Sequence, residues 1–297
     1  MTPHEFLKYV PATNCGECGY AACLAFAVAV IKGGVAPDLC PYVEKDRLPD
    51  EFGSAKGAAG LDHVERGQDK RDMALVAHLK CRIQSVDFAQ LSRCLGAAWS
   101  ADRPDQLAFS YLGRSILLDR DEVMMDGQQL VDPRDQILLY NYVAFGGTGI
   151  LGDAGDAGDA DKARQRDSKP DGTWVGMESL PNSIAKIRTL ATYCEARLAE
   201  QFAGRVESLA SVCKKIGGAQ SSDEQRASAD FAALLPVLPQ VPLYVLFWDQ
   251  DVEDGFEARV KILFDQHVMD FLDLESLVFA AERMADRLLD LDRGGES

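Results

Sequence analysis

The sequence predicts an α+β protein in two parts, a small helical four-cysteine module followed by a larger domain with a mainly antiparallel sheet and packed helices. Three observations predict it. Cys15, Cys18, Cys23 and Cys40 crowd the first forty residues, around one short apolar helix. Residues 107–130 carry β-formers punctuated by turn signals. Three further apolar strand runs, Phe231 to Leu235, Leu243 to Trp248 and Arg259 to Phe264, precede a closing amphipathic helix over 274–291. Strands and helices come in blocks, with no regular βαβ alternation, no GxGxxG and no P-loop, which favours an antiparallel sheet.

Taken in order, the module opens with Asn14-Cys15-Gly16-Glu17-Cys18-Gly19-Tyr20-Ala21-Ala22-Cys23 and closes with Cys40-Pro41. Four thiolates flanked by glycine suit one soft inorganic core with no other ligand. Gly16 and Gly19 lack a Cβ, so the backbone turns tightly and aims N–H groups at cluster sulfurs. From Ala21 the run AACLAFAVAVI is long enough for about three helical turns and far short of the roughly 20 residues that span a bilayer. Cys23 falls in its first turn, where free N–H groups and the helix dipole favour thiolate. Gly33-Gly34 ends the helix, and Pro37 and Pro41 bracket Cys40. The spacing points to an iron-sulfur site, a [4Fe-4S] cluster. Structural zinc remains an alternative, although its usual pattern is two close pairs with a longer spacer. A disulfide framework needs an oxidising compartment, and four unrelated buried thiols fit the glycine-flanked crowding poorly.

The module is expected over 1–55, with a small-residue linker at 56–68 and the large domain at 69–292. Helical periodicity covers 68–80 and 86–99. LAFSYLG and SILLDRDEV, broken at Gly113-Arg114, read as a β-hairpin, and Asp126-Gly127 marks a further turn. Asp132 suits an N-cap and Pro133 the first position of a helix through about Phe145. A disordered surface insertion is expected over about 147–172, which holds the GDAGDAGDAD repeat; the repeat lacks the nonapeptide frame of calcium-binding β-rolls. A long helix from Ser183 to about Phe202 and a shorter one from Arg205 to Ile216, stopped by Gly217-Gly218, precede the final strands.

The 297 residues carry a formal charge of −16 and no compact basic patch, which argues against nucleic acid. Without a membrane span, signal peptide or lipidation motif, the expected location is cytoplasmic, where thiols stay reduced. Cys81, Cys94, Cys194 and Cys213 are single and scattered, and His4, His63, His78 and His267 show no ligand pairing. The acidic run Asp249-Gln250-Asp251-Val252-Glu253-Asp254, with Asp265 beyond it, has the chemistry for a hard cation or for acid-base work, against the plainer reading of a solvated turn. Trp174 and Trp248 are candidates for lining a pocket or for closing a core.

The cysteine frame resembles the small [4Fe-4S] module of the corrinoid iron-sulfur protein large subunit and of the B subunit of the Rnf electron-transport complex. The resemblance covers about one sixth of the chain and implies Cys15, Cys18, Cys23 and Cys40 as the four ligands. No corrinoid-binding barrel pattern and no further ferredoxin repeats accompany it. Trp174 to Pro181, Ile216-Gly217-Gly218 and Pro242 to Asp265 resemble an uncharacterised domain that follows such modules in iron-sulfur proteins of anaerobic bacteria. The domain resemblance brings no activity with it; the cluster itself favours a protein that passes single electrons to a redox protein partner, because four protein thiolates leave no open iron site. The alternatives are a redox enzyme holding a small-molecule substrate beside the cluster and a structural cluster in an interaction protein.

Overall fold

The computed structural model describes residues 2–13, 17–20, 22–33, 35–43, 48, 71–146, 170–222, 228–251 and 253–294. The chain divides into two compact units, Met1–Leu75 and Val76–Ser297. The linker expected at 56–68, and the insertion expected at 147–172 except for its last three residues, lie outside the described residues.

In the first unit, α1 (Pro3–Phe6) begins with a capping box. The Glu5 N–H donates to Thr2 Oγ1, and the Thr2 N–H donates to Glu5 Oε2. This turn places Phe6 edge-on against Phe26 of α2 (Cys23–Gly33), with ring centres 6.0 Å apart. α2 is apolar from Cys23 to Ile31, and Cys23, Phe26, Ala27 and Val30 form its buried face. A 3₁₀ turn, Pro37–Leu39, then delivers Cys40 to the same core.

Among the described residues, the second unit holds two five-stranded antiparallel sheets. The division falls within α3 (71–83), whose Val76, Leu79 and Ile83 belong to the core of the second unit. α4 (Phe88–Leu95) starts at Asp87, whose carboxylate accepts the Ala89 and Gln90 N–H groups. It ends sooner than the helix expected to residue 99. Gly96 takes φ +64°, the Ala97 N–H closes on the Ser92 carbonyl at 2.8 Å, and the chain leaves in β1 (Ala98–Ser100).

The first sheet is a meander of β1, β2 (Arg103–Tyr111), β3 (Arg114–Asp119), β4 (Val123–Met125) and β5 (Gln128–Gln129). Its turns follow local chemistry. Leu112-Gly113 and Asp126-Gly127 both have consecutive positive φ angles, the primed geometry that matches strand twist. A Cβ on Gly113 would meet Ile216 Cα at 2.8 Å, so that turn is also held to glycine by packing. α5 (Pro133–Phe145) starts as expected, with Asp132 accepting the Arg134 N–H.

The second sheet has the order β6 (Trp174–Gly176), β10 (Arg259–Asp265), β9 (Val241–Trp248), β8 (Phe231–Leu238), β7 (Ala219–Gln220). The helix expected from 183 to 202 forms as α6 (Ile184–Leu190) and α7 (Ala196–Phe202), joined by a π-helical stretch, Ala191–Glu195. Within that stretch Cys194 is fully buried, and the Glu195 carboxylate accepts the Ile262 N–H of β10 at 2.9 Å. α8 (Val206–Lys215) and the amphipathic α9 (Leu274–Asp292) complete the helical layer, with Leu277, Ala281, Met284 and Leu288 of α9 buried in the main core.

One buried phenol joins three elements of this unit. Tyr142 Oη of α5 donates to the Leu95 carbonyl at 2.7 Å and accepts the Gln240 N–H of the β8–β9 turn at 3.1 Å. Tyr142→Phe strands two buried backbone groups, and we expect a loss of about 1–3 kcal/mol in urea unfolding. An unchanged midpoint would show that these groups find other partners.

Candidate metal centre

Cys18, Cys23 and Cys40 come from a loop, the first turn of α2 and the end of a 3₁₀ turn, and all three are buried in one small core with Phe6, Val10, Phe26, Ala27, Val30 and Val43. Neither Cys18 nor Cys40 is in a disulfide. Cys15 and Gly16 lie outside the described residues, so the structure brings together three of the four expected ligands. Gly19 adopts φ +82°, with no atom within 4 Å of where a Cβ would stand, consistent with a turn after Cys18 that favours glycine.

A further contact ties the cysteine segments together. Tyr42 Oη donates to Glu17 Oε1 at 3.0 Å, linking the residue before Cys18 to the residue two beyond Cys40. Neither side chain stands out in the sequence; their positions near Cys18 and Cys40 are the available signal.

The donor set fits an iron-sulfur group. Thiols are the soft ligands such clusters take, and the surrounding side chains are aliphatic or aromatic. Among the described residues, no three His, Cys, Asp or Glu side chains are placed to hold one metal ion. A four-iron cluster does not demand that arrangement, because each thiolate binds a different iron.

The other candidates take structural roles. Asp265 is fully buried and accepts N–H groups from Asp171, Gly172 and His267 at 2.9–3.0 Å. Asp249 Oδ1 accepts the Gly204 and Gln250 N–H groups, and Asp251 Oδ1 those of Glu253 and Asp254. Asp251, Glu253 and Asp254 are exposed, so this loop has the character of a solvated turn. Trp174 stacks on Tyr244 at 5.2 Å, and Trp248 carries the Arg259 guanidinium at 4.3 Å; both tryptophans pack on the sheet-face cluster of Ala232, Tyr244 and Leu246.

A groove of about 530 Å³ lies between α8 and the β7–β8 edge, lined in part by Glu207, Ser211, Cys213, Lys214 and Phe231. Burial pushes the Cys213 thiol up to about 12, so it stays protonated near neutral pH and is a poor nucleophile. Burial likewise raises the Cys194 thiol, followed by the nearby Glu282 and Glu195 carboxylates.

A buried thiol module joined to an α+β domain is the class these observations define. Residues 10–42 match the family described as "Putative Fe-S cluster", and residues 163–287 match the family described as "Domain of unknown function (DUF3786)". The chain is 48% identical over 46 residues to the acetyl-CoA decarbonylase/synthase complex subunit gamma 2 of Methanosarcina thermophila, which is 16% of this chain and 10% of that one. It is 49% identical over 43 residues to the corrinoid/iron-sulfur protein large subunit of Moorella thermoacetica, covering 14% and 10%. An uncharacterized protein of Methanocaldococcus jannaschii is 36% identical over 53 residues, covering 18% and 24%. The chain thus spans about a tenth of the length of the first two relatives. No solved structure matches it. The matches support iron-sulfur binding by the small unit.

Proposed function

We propose that Cys15, Cys18, Cys23 and Cys40 hold a [4Fe-4S] cluster and that the protein passes single electrons to a redox protein partner recognised by the larger unit. The observation that carries this reading is the convergence of Cys18, Cys23 and Cys40 in one apolar core, inside the segment that matches the iron-sulfur family. A bound cluster of this kind supplies a one-electron couple whose potential depends on hydrogen bonds to its sulfurs and on solvent exposure.

The chain's own residues set those conditions. The four cysteines are the ligands, Phe6, Phe26, Val30 and Val43 keep water from the thiols, and the Tyr42–Glu17 hydrogen bond holds the Cys40 segment beside the Cys18 loop. Four protein thiolates leave no open iron position, which favours electron transfer over Lewis-acid chemistry. Among the described residues no helix is long and apolar enough to cross a membrane, and we place the protein in the cytoplasm, where thiols remain reduced. The decarbonylase/synthase relatives are named as subunits of a complex, which supports a protein partner.

Anaerobically purified protein is expected to show a broad visible charge-transfer band that dithionite bleaches and mild oxidation restores. A band that vanishes only on unfolding would leave the cluster a structural role.

A further inference from the structure

The cysteine core has an inner and an outer seam. Inside, Cys18 and Cys40 are buried in one apolar core. Outside, Glu17 and Tyr42 are exposed, and Tyr42 Oη donates to Glu17 Oε1 at 3.0 Å across 25 residues of chain. Each partner is tied closely to its cysteine. Cys40, Pro41, Tyr42 and Val43 form a turn closed by the Val43 N–H on the Cys40 carbonyl at 3.3 Å, and Val43 returns to the core. Pro41 fixes φ at the second position of that turn, where proline is favoured. On the other side Glu17 immediately precedes Cys18, and the chain turns at Gly19 with φ +82°. A displacement of either side chain is therefore passed to a cysteine through one or two residues.

We infer that Glu17 and Tyr42 are positioning residues that form a clasp across the metal centre, and that their hydrogen bond governs how fast iron is lost from it. The inference rests on the cluster reading and deepens it. Loss of a group held by four thiolates requires a cysteine segment to separate from the others. The Cys18 loop and the Cys40 turn reach the core from distant parts of the sequence, so their separation opens the thiols to water and chelators. The clasp opposes that step. An exposed hydrogen bond is weak by itself, but this one joins the two segments that must part, and groups outside the ligand set commonly tune metal retention. Its acceptor is a side-chain oxygen, so the contact needs that oxygen and the phenol, not the carboxylate charge.

The test compares the full-length wild type with Tyr42→Phe, Glu17→Ala, Glu17→Gln and the double variant Tyr42→Phe/Glu17→Ala, each reconstituted anaerobically to about four irons and four sulfides per chain. Iron release to an excess of a ferrous chelator is then followed at one temperature. Tyr42→Phe is expected to release iron about threefold to tenfold faster, the range that one net hydrogen bond supplies. Glu17→Ala should match it, and the double variant should be no faster than either, because both changes remove the same bond. Glu17→Gln keeps an acceptor oxygen and should hold its iron nearly as long as the wild type. Should Tyr42→Phe not load, Glu17→Ala against Glu17→Gln carries the same comparison. A wild-type rate in Tyr42→Phe, additive effects in the double variant, or equal release from Glu17→Gln and Glu17→Ala would overturn the inference. A wild-type chain that takes up no iron and sulfide would overturn the cluster reading as well, and that load is read before any rate.

Discussion

Cys18→Ser is expected to strip iron from the protein and to unfold the small unit. The described core of that unit has nine buried residues, and three of them are cysteines. Phe6, Phe26 and a few aliphatic side chains are too small a core to offset chain entropy alone, a common condition in domains this size that metal binding relieves. Metal affinity then becomes folding free energy. Iron should fall from about four per chain to well below one, and proteolysis should cut within the first fifty residues. Cys213→Ser, in the core of the other unit, should keep its iron. Full iron in Cys18→Ser would remove that residue from the ligand set.

The second large effect lies in the main domain. Arg283 of α9 donates to both Asp135 carboxylate oxygens, from Nε at 2.7 Å and Nη2 at 2.5 Å, and Nη2 reaches Asp132 at 3.3 Å. Asp135 is 3% exposed, and Tyr111 Oη of β2 donates to it at 2.8 Å. Burial, then the Asp135 carboxylate, push the Tyr111 phenol well above its ordinary range, so it stays a donor. Arg283→Ala leaves this carboxylate buried with a single neutral partner. We expect a loss of about 3–5 kcal/mol in denaturant unfolding, the cost of breaking a buried pair from one side. Replacing Arg283 and Asp135 together by leucine or methionine should cost far less. A single-substitution loss below about 1 kcal/mol would mean that the site relaxes to admit water.

Much of the fold is legible because its signals are local. Asp126-Gly127 and Asp132-Pro133 specify a turn and a helix start through their own backbone preferences, and both form. Gly96 holds the same kind of signal, but apolar periodicity to residue 99 masks it until the left-handed turn and β1 are seen. β6 is different in kind: three residues become a strand only because Leu263 to Asp265 offer an open edge nearly ninety residues away. The Arg283–Asp135–Tyr111 network is also long-range, joining β2, α5 and α9.

The site divides the same way. Cysteine spacing and flanking glycines are visible in sequence because a cluster loop is wrapped locally. The acidic residues fall to the plainer reading of a solvated turn, and what decides it lies outside the side-chain pattern. Asp249 and Asp265 look like available ligands until their backbone partners are known, and Gly204 and Gly172 N–H groups leave no trace in a side-chain pattern.

The small unit is proposed to hold a four-iron cluster. Iron and acid-labile sulfide in anaerobically purified wild-type protein test it most directly. About four of each per chain are expected. Stoichiometric zinc without sulfide would contradict it.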